Sequence, residues 1–537
     1  MQSTYNADNQ PWVQHGMSPL AQKSCLILVC QTLHTEALSF PNPRCPSPLP
    51  LAVPSPPPLS RTHARTMAAA ESTVWTWGRA KNYRLGRAFV GTDARVPEKV
   101  SGFEGVAVKQ AACGGGHTAV VLADNRLFVF GYSQYGQLGL GDRTDMSDPT
   151  QVFLIAPAQT AAPPLHRGAD RAHAAEGQRR IEQNNAESLP VADVYCGRYH
   201  TIARTTTGLV FTWGGGKNGR LGHGDEKIRA QPTCVERLMR HEAVAVTAGY
   251  HNNLVLTADG DVWSWGWGAH GQLGLGDTKD RDVPTVITEL SQEGVSSLSC
   301  GDRHSFAITK DGRVFGWGSN EFGQLGCGKK GDTVLRPRLI EGLEGLMVVG
   351  ISSGDRHSAA VTNMGAVYTW GCGSDGQCGH CVFRDVVRPK LVEHLVGKSV
   401  VDVKCGHNFT MVMTSGNEVY AWGNNTYGQL GNNGNGKSEM PVKVIVNSGS
   451  RVARVSCAHF HCIMWMEAGE SGPTTPKSAR RVGGRYGERD EGRKHMEEAR
   501  ERLAQMLASY AEKRRLCRVA VEAKRREGRD AGTTELA

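Results

Sequence analysis

Three patterns in the 537-residue sequence carry residue types able to do chemistry. Gly431 to Ser438, GNNGNGKS, has the G-x-x-x-x-G-K-S spacing of a phosphate-binding loop. That chemistry needs a strand, a loop of backbone N–H groups around phosphate, and a helix whose N-terminus faces it. Pro441 stands three residues after Ser438, where the first helical turn would be, and LGLGDTKD fills the equivalent place elsewhere in the chain. Nucleotide binding through this loop is therefore not expected. Cys378-Gly379-His380-Cys381 has the C-x-x-C spacing of thiol–disulfide exchange and, with Cys372, of a zinc site. Exchange needs a helix N-terminus to lower the thiol pKa, and no helical periodicity follows before Pro389. The third pattern is a recurring histidine at His117, His200, His251, His304 and His357. One imidazole per unit reads as structural, each hydrogen-bonding the backbone of its tight loop or a neighbour's. No Ser/His/Asp set, carboxylate pair or metal cluster stands apart from the repetition. Neither catalytic residues, nor a cofactor, nor a small-molecule substrate is expected.

The elements that hold these residues repeat. A Trp-Gly or Phe-Gly pair falls at Trp77, Phe130, Trp213, Trp265, Trp317, Trp370 and Trp422, in steps of 53, 83, 52, 52, 53 and 52 residues. A proline follows each pair 19 or 20 positions later, so the surplus of the second step lies after Pro149, in Leu154 to Pro190. His304 to Gly326, HSFAITKDGRVFGWGSNEFGQLG, shows the unit: two alternating runs around an Asp311-Gly312 turn, then a glycine-bounded loop. Each unit supplies about four short strands and cannot bury both faces alone, so units must stack radially. The chain opens with the last strand of a hairpin, Val74 to Trp77, and closes with the first, His461 to Trp465. Pairing them completes a seventh unit and removes an open edge. The expected fold is all-β: a seven-bladed β-propeller closed by its N- and C-terminal strands.

Flanking segments differ in composition. Residues 1–66 are Pro/Ser-rich without periodicity and are expected to be disordered, to be a targeting segment, or to precede a true start at Met67. The propeller is expected over 73–466 with a disordered insertion at about 154–190, then a linker (467–488), a basic helix (489–526) and a tail (527–537). Met496, Leu503, Tyr510 and Cys517 fall seven apart in that helix. Lys513-Arg514-Arg515 and Lys524-Arg525-Arg526 have the form of a two-part nuclear import signal, so a nuclear or cytoplasmic location, or both, is expected. The net charge of +9 is concentrated at the ends, with 17 Lys/Arg against 11 Asp/Glu from Ser471 onward. The body is thus nearly neutral, which argues against a nucleic-acid-binding body and leaves the basic helix to meet an acidic or chromatin partner. No apolar run approaches the ~18 residues a membrane span needs. Five of the 15 cysteines, Cys113, Cys196, Cys300, Cys405 and Cys457, share one slot of the repeat and sit too far apart to bridge.

The combination of C-G-x-x-H, W-G and G-Q-L-G resembles the repeats of the regulator of chromosome condensation family, over about Thr73 to Met466. Departures are local: Tyr83-Arg84-Leu85-Gly86, the GQCG at Gly376 to Gly379, and Phe409 in a histidine slot. The resemblance implies a seven-bladed propeller. It also implies that Asp302, His304, Asp355 and His357 match loop positions that face the small GTPase Ran in the founding exchange factor. That activity uses a projecting hairpin wedge, whereas the insertion here lacks strand alternation. In the plant UV-B photoreceptor the loops supply a tryptophan cluster; the matching positions here, Gly115, Arg198, Gly249, Asp302 and Asp355, hold none. Relatives that are ubiquitin ligases carry a HECT domain, for which this sequence shows no counterpart, so only an adaptor role carries over. The leading expectation is a regulatory protein-binding propeller presenting Arg198, Tyr199, Tyr250, Asp302, Arg303, His304, Asp355, Arg356 and His357. The alternatives are a guanine nucleotide exchange factor for a Ran-like or other small GTPase, a chromatin-associated factor, or a ubiquitin-pathway adaptor.

Overall fold

The computed structural model describes residues 74–87, 93–157, 188–446 and 451–467. The N-terminal extension, most of the insertion, the linker, the basic helix and the tail lie outside the described residues. Seven four-stranded antiparallel sheets follow one another, each strand pairing with its sequence neighbour. The fourth blade is typical: Val295–Cys300, His304–Thr309, Val314–Gly318 and Val334–Leu339, from the channel outward. The second strand is buried at all six positions. A strand covered on both sides by neighbouring blades reads as a continuous apolar run. The outer strand carries the recurring proline (Pro337 here), tolerated because an edge strand has an N–H row with no ladder to complete.

The seventh blade takes two strands from each end of the chain, ordered Asp93–Val100, Val74–Arg79, His461–Glu467, Arg451–Cys457. Val74 faces Trp465 and Gly78 faces His461 across the joining ladder. The expected closure is thus present, with an additional strand on either side of it.

Blades are joined by a buried hydrogen-bond relay. Trp317 is fully buried, and its indole Nε1 donates to the Gln272 carbonyl of the preceding blade's GQLG loop at 2.9 Å. The Ser305 hydroxyl donates to the same carbonyl at 2.9 Å. The glycine after the tryptophan has φ of +105° at Gly318, and a Cβ there would run into the Arg303 carbonyl. Only glycine fits this turn.

The histidine slots complete the relay. His117 Nε2 lies 3.0 Å from Thr201 Oγ1, His304 Nε2 is 2.9 Å from Ser358 Oγ, and His357 Nε2 is 3.0 Å from Thr410 Oγ1, each in the next blade. Those hydroxyls donate onward to loop carbonyls, for example Thr201 to Gln137 and Ser358 to Gln324, both at 2.8 Å. They must therefore accept from the imidazole, so Nε2 carries a proton, and burial keeps the ring neutral. Nδ1 has no hydrogen-bond partner in His117, His200, His304 or His357. In the third blade the slot belongs to Asn252, which pairs with Gly266, rather than to His251. The count of 14 instead of 13 residues before Trp265 marked that one-residue slip. His251 sits on the adjoining loop instead.

Because strands alternate in direction, all seven first-to-second-strand loops lie on one face, here the upper. Blade-to-blade connections and hairpin turns lie on the lower face. The insertion springs from the lower face, where Leu189 N–H donates to the Leu154 carbonyl at 2.8 Å. The phosphate-loop lookalike ends in the outer strand Ser438–Lys443 rather than a helix. Cys378 is buried with its thiol pKa raised by burial, while Cys381 is exposed. Among the described residues no cluster of three metal-ligating side chains occurs, and no helix is long and apolar enough to cross a membrane.

Candidate protein-binding face

Backbone hydrogen bonds tie the upper loops of the first six blades together in series. Gly115 N–H donates to the Gly197 carbonyl, Arg198 N–H to Tyr250, Tyr250 N–H to Gly301, Asp302 N–H to Gly354, and Asp355 N–H to His407. The residue after the loop glycine, or after Ala458 in the seventh blade, therefore stands at the channel mouth: Gly115, Arg198, Tyr250, Asp302, Asp355, His407 and His459. The third-blade member is Tyr250, not Gly249. An aromatic thus does occupy one of the positions compared with the photoreceptor's tryptophans, although it is a tyrosine.

These residues close the mouth. Tyr250 and His459 stack with ring centroids 3.9 Å apart and 18° between planes, and His407 lies 5.1 Å from His459. Beneath them the channel encloses a cavity of about 480 Å³. Asp302 and Asp355 are 8% and 5% exposed, so the carboxylates expected to face a partner are turned inward. Each meets the arginine of its own loop, Asp302–Arg303 and Asp355–Arg356, at 3.3 Å, rather than one from an adjacent blade. His407 Nδ1 lies 3.3 Å from Asp355 Oδ2 without the alignment of a hydrogen bond.

The structure also brings together a carboxyl pair that spacing did not reveal, because its members lie in different blades. Burial, then the Asp355 charge and a hydrogen bond to Asp355, raise the pKa of Asp302 above the carboxylate range. Burial raises Asp355 as well, but accepting from Asp302 and the charge of Arg356 oppose it. When the pair holds one proton, that proton therefore sits on Asp302. A carboxyl with a raised folded pKa destabilises the fold at high pH, and that loss fades as pH falls through the folded value. Asp302→Asn, which mimics the protonated form, is expected to raise stability at pH 7.5 by about 1 kcal/mol. Urea unfolding checks this; an unchanged or lower midpoint would contradict the cost of burying the ionised Asp302.

Around the plug runs a belt of half-exposed aromatic and arginine side chains. Tyr135 contacts Tyr199 at 4.9 Å, His251 meets Trp267 edge-on at 5.5 Å, and Trp267 meets His270 at 4.9 Å. Tyr199 and His251, at 6.2 Å, join these pairs. Farther round, the Arg356 guanidinium lies 4.7 Å over Phe322, and Arg79 lies 4.6 Å over Tyr427, which packs on Phe460. Of the residues expected on this face, Arg198 is exposed and Tyr199, Arg303 and Arg356 are half-exposed. Tyr250 closes the mouth, and His304 and His357 belong to the interblade relay. Sequence reading missed Trp267, Tyr135, His270, Phe322 and Tyr427. Their signal was positional: aromatic types that vary from unit to unit just after the Trp-Gly pair and just before the GQLG.

Comparison with known proteins places this architecture. The Regulator of chromosome condensation (RCC1) repeat model matches residues 71–121, 124–162, 364–413 and 417–465. An RCC1-like domain model matches residues 159–347. Ultraviolet-B receptor UVR8 of Arabidopsis thaliana is 32% identical over 359 residues, covering 67% of this chain and 74% of the receptor. E3 ubiquitin-protein ligase HERC2 of Homo sapiens is 31% identical over 400 residues, which is 74% of this chain but 8% of the ligase. Among solved structures, human WBSCR16 aligns with a TM-score of 0.61 at 23% identity, covering 74% of this chain and 99% of that one. Prp20p of Saccharomyces cerevisiae aligns at 0.60 and 20% identity, covering 75% and 92%. At such identities these two speak to the fold alone. With its repeats matched in this way, the chain belongs to the regulator of chromosome condensation (RCC1) repeat family.

Proposed function

We propose that this propeller is a regulatory protein-binding module and that its partner docks on the upper face. The observation that carries the reading is the belt of Tyr, Trp, His, Phe and Arg side chains around the plugged mouth. Aromatic residues and arginine are the types that dominate binding energy at protein interfaces. The forks of Arg198, Arg303 and Arg356 suit carboxylates on the partner. Asp302 and Asp355 act behind them by holding Arg303 and Arg356 in place. An acidic or chromatin partner, and ubiquitin-pathway partners, fall within this class. Contact through the basic segment and a nuclear or cytoplasmic location belong to the same proposal.

A second reading, guanine nucleotide exchange on a small GTPase, draws on the likeness to Prp20p, whose structure is described with its binding to Gsp1p and histones. The likeness is one of fold, and the described ends of the insertion, Leu154 and Leu189, lie on the lower face, away from the belt. The readings separate in one experiment. The purified full chain is captured with its partners, and GDP release from a panel of small GTPases is timed in parallel. Trp267→Ala with Arg356→Ala is expected to weaken partner capture by about 100-fold, since each anchor contributes roughly 1–2 kcal/mol. Thermal stability should fall only modestly, by the roughly 1 kcal/mol that loss of the Arg356–Asp355 pair costs. Retained capture would overturn the upper-face reading, and accelerated GDP release that these changes abolish would establish exchange.

A further inference from the structure

The lower face is chemically unlike the upper. Met347, Val349, Met364, Val396 and Val401 are 41%, 53%, 52%, 50% and 52% exposed. Val349 and Val401 are the second residues of the innermost strands of the adjacent fifth and sixth blades, so they rim the channel's lower mouth. The Met347 carbonyl accepts from Asn363 N–H at 2.9 Å, which ties Met347 to the turn bearing Met364. Met347 also lines a cavity of about 280 Å³ with Ile340, Leu343 and Leu346. Scattered apolar side chains need no explanation, but five gathered on the lower face of two adjacent blades, beside a cavity that Asp311, Arg313 and Glu344 also line, mark a surface that something covers. Glu344 and Glu393 flank it, exposed and without an ion pair among the described residues.

The chain itself points to the occupant. The last described strand, His461–Glu467, starts on the upper face and ends on the lower, so the 70 residues that follow begin there. Residues 468–488 can span up to ~70 Å, several times the roughly 15–20 Å width of a four-stranded blade. Residues 489–526 then carry Met496, Leu503, Tyr510 and Cys517 at heptad spacing, with 12 Lys/Arg against 7 Asp/Glu. Both the apolar stripe and the positive balance complement the patch and its acidic flanks.

We propose that residues 489–526 of this chain dock their apolar stripe on the lower-face patch formed by Met347, Val349, Met364, Val396 and Val401. The inference is independent of the upper-face docking, which concerns the opposite face; only the proposed contact through the basic segment involves the same residues.

Cys517 lies on the stripe and reports its cover. Neighbouring Arg514, Arg515 and Arg518 would speed its alkylation if it were free. The exposed Cys381 serves as reference. Pulse alkylation of the full-length chain with N-ethylmaleimide, read by peptide mass spectrometry, should label Cys517 at least about tenfold more slowly than Cys381. In the full-length chain, Val349→Asp with Val401→Asp should bring the two rates together. Met364→Lys, in an exposed turn, should move them the same way and guards against a folding defect in the double variant. Equal rates in the unaltered protein would overturn the proposal. So would protection that survives both variants, or protection that rises with protein concentration, which would make a second copy the occupant.

Discussion

Taking the propeller from pH 7.5 to pH 5 is expected to lower its stability steeply. His117, His200, His304 and His357 are fully buried, and burial lowers each pKa from 6.5 to about 3. The unbonded Nδ1 gives an added proton no acceptor. Between pH 6.5 and about 3 the unfolded chain binds a proton at each site and the folded chain does not. The stability is therefore whole above pH 6.5 and is lost progressively below it. At pH 5 the loss is about 2 kcal/mol per histidine, and four of them approach the ~5–15 kcal/mol that ordinarily separates folded from unfolded domains. Urea midpoints followed by tryptophan fluorescence across pH 5–7.5 measure this. His304→Asn should cost less than His304→Ala, because Asn252 shows that an amide fits the slot, and should flatten the slope by one proton. A midpoint independent of pH would mean that the slots admit water or protons.

Replacing Trp317 by alanine is expected to cost about 3–5 kcal/mol through the cavity left between blades. Trp317→Phe should cost only about 1–1.5 kcal/mol, because Ser305 still satisfies the Gln272 carbonyl. Combining Trp317→Phe with Ser305→Ala leaves that carbonyl without either donor. The double variant should then lose about 1–2 kcal/mol more than the sum of the singles. Denaturant unfolding of the four proteins gives the coupling directly. Additivity would show that the carbonyl finds another donor, and the relay would not be the joint between blades.

The blades were legible because each is a local pattern: alternating runs, a glycine turn, a proline at the outer edge. Closure was legible because half a hairpin at each end has one natural partner. The functional face was harder to read for two physical reasons. Loop positions next to one another in sequence point in different directions: Asp302 inward, Arg303 outward and His304 into the relay. The residues that meet at the mouth, such as Tyr250, His407 and His459, are separated by one to four blades, so no spacing rule joins them. The slip between His251 and Asn252 shows how a one-residue shift moves a side chain from scaffold to surface.

The joined blade also sets the order in which the protein can be finished. The strand Val74–Arg79 emerges early, yet its inner neighbour His461–Glu467 follows only after ~380 further residues, roughly 20–80 s of synthesis at ordinary rates. Throughout that time one side of the early strand offers unpaired N–H and C=O groups to any passing segment. Completion then depends on a single late encounter that brings the two ends of a long chain together, a slow, non-local step. A nascent chain interrupted before His461 would be left as an open ring of blades with a sticky edge, a natural substrate for chaperones and for aggregation.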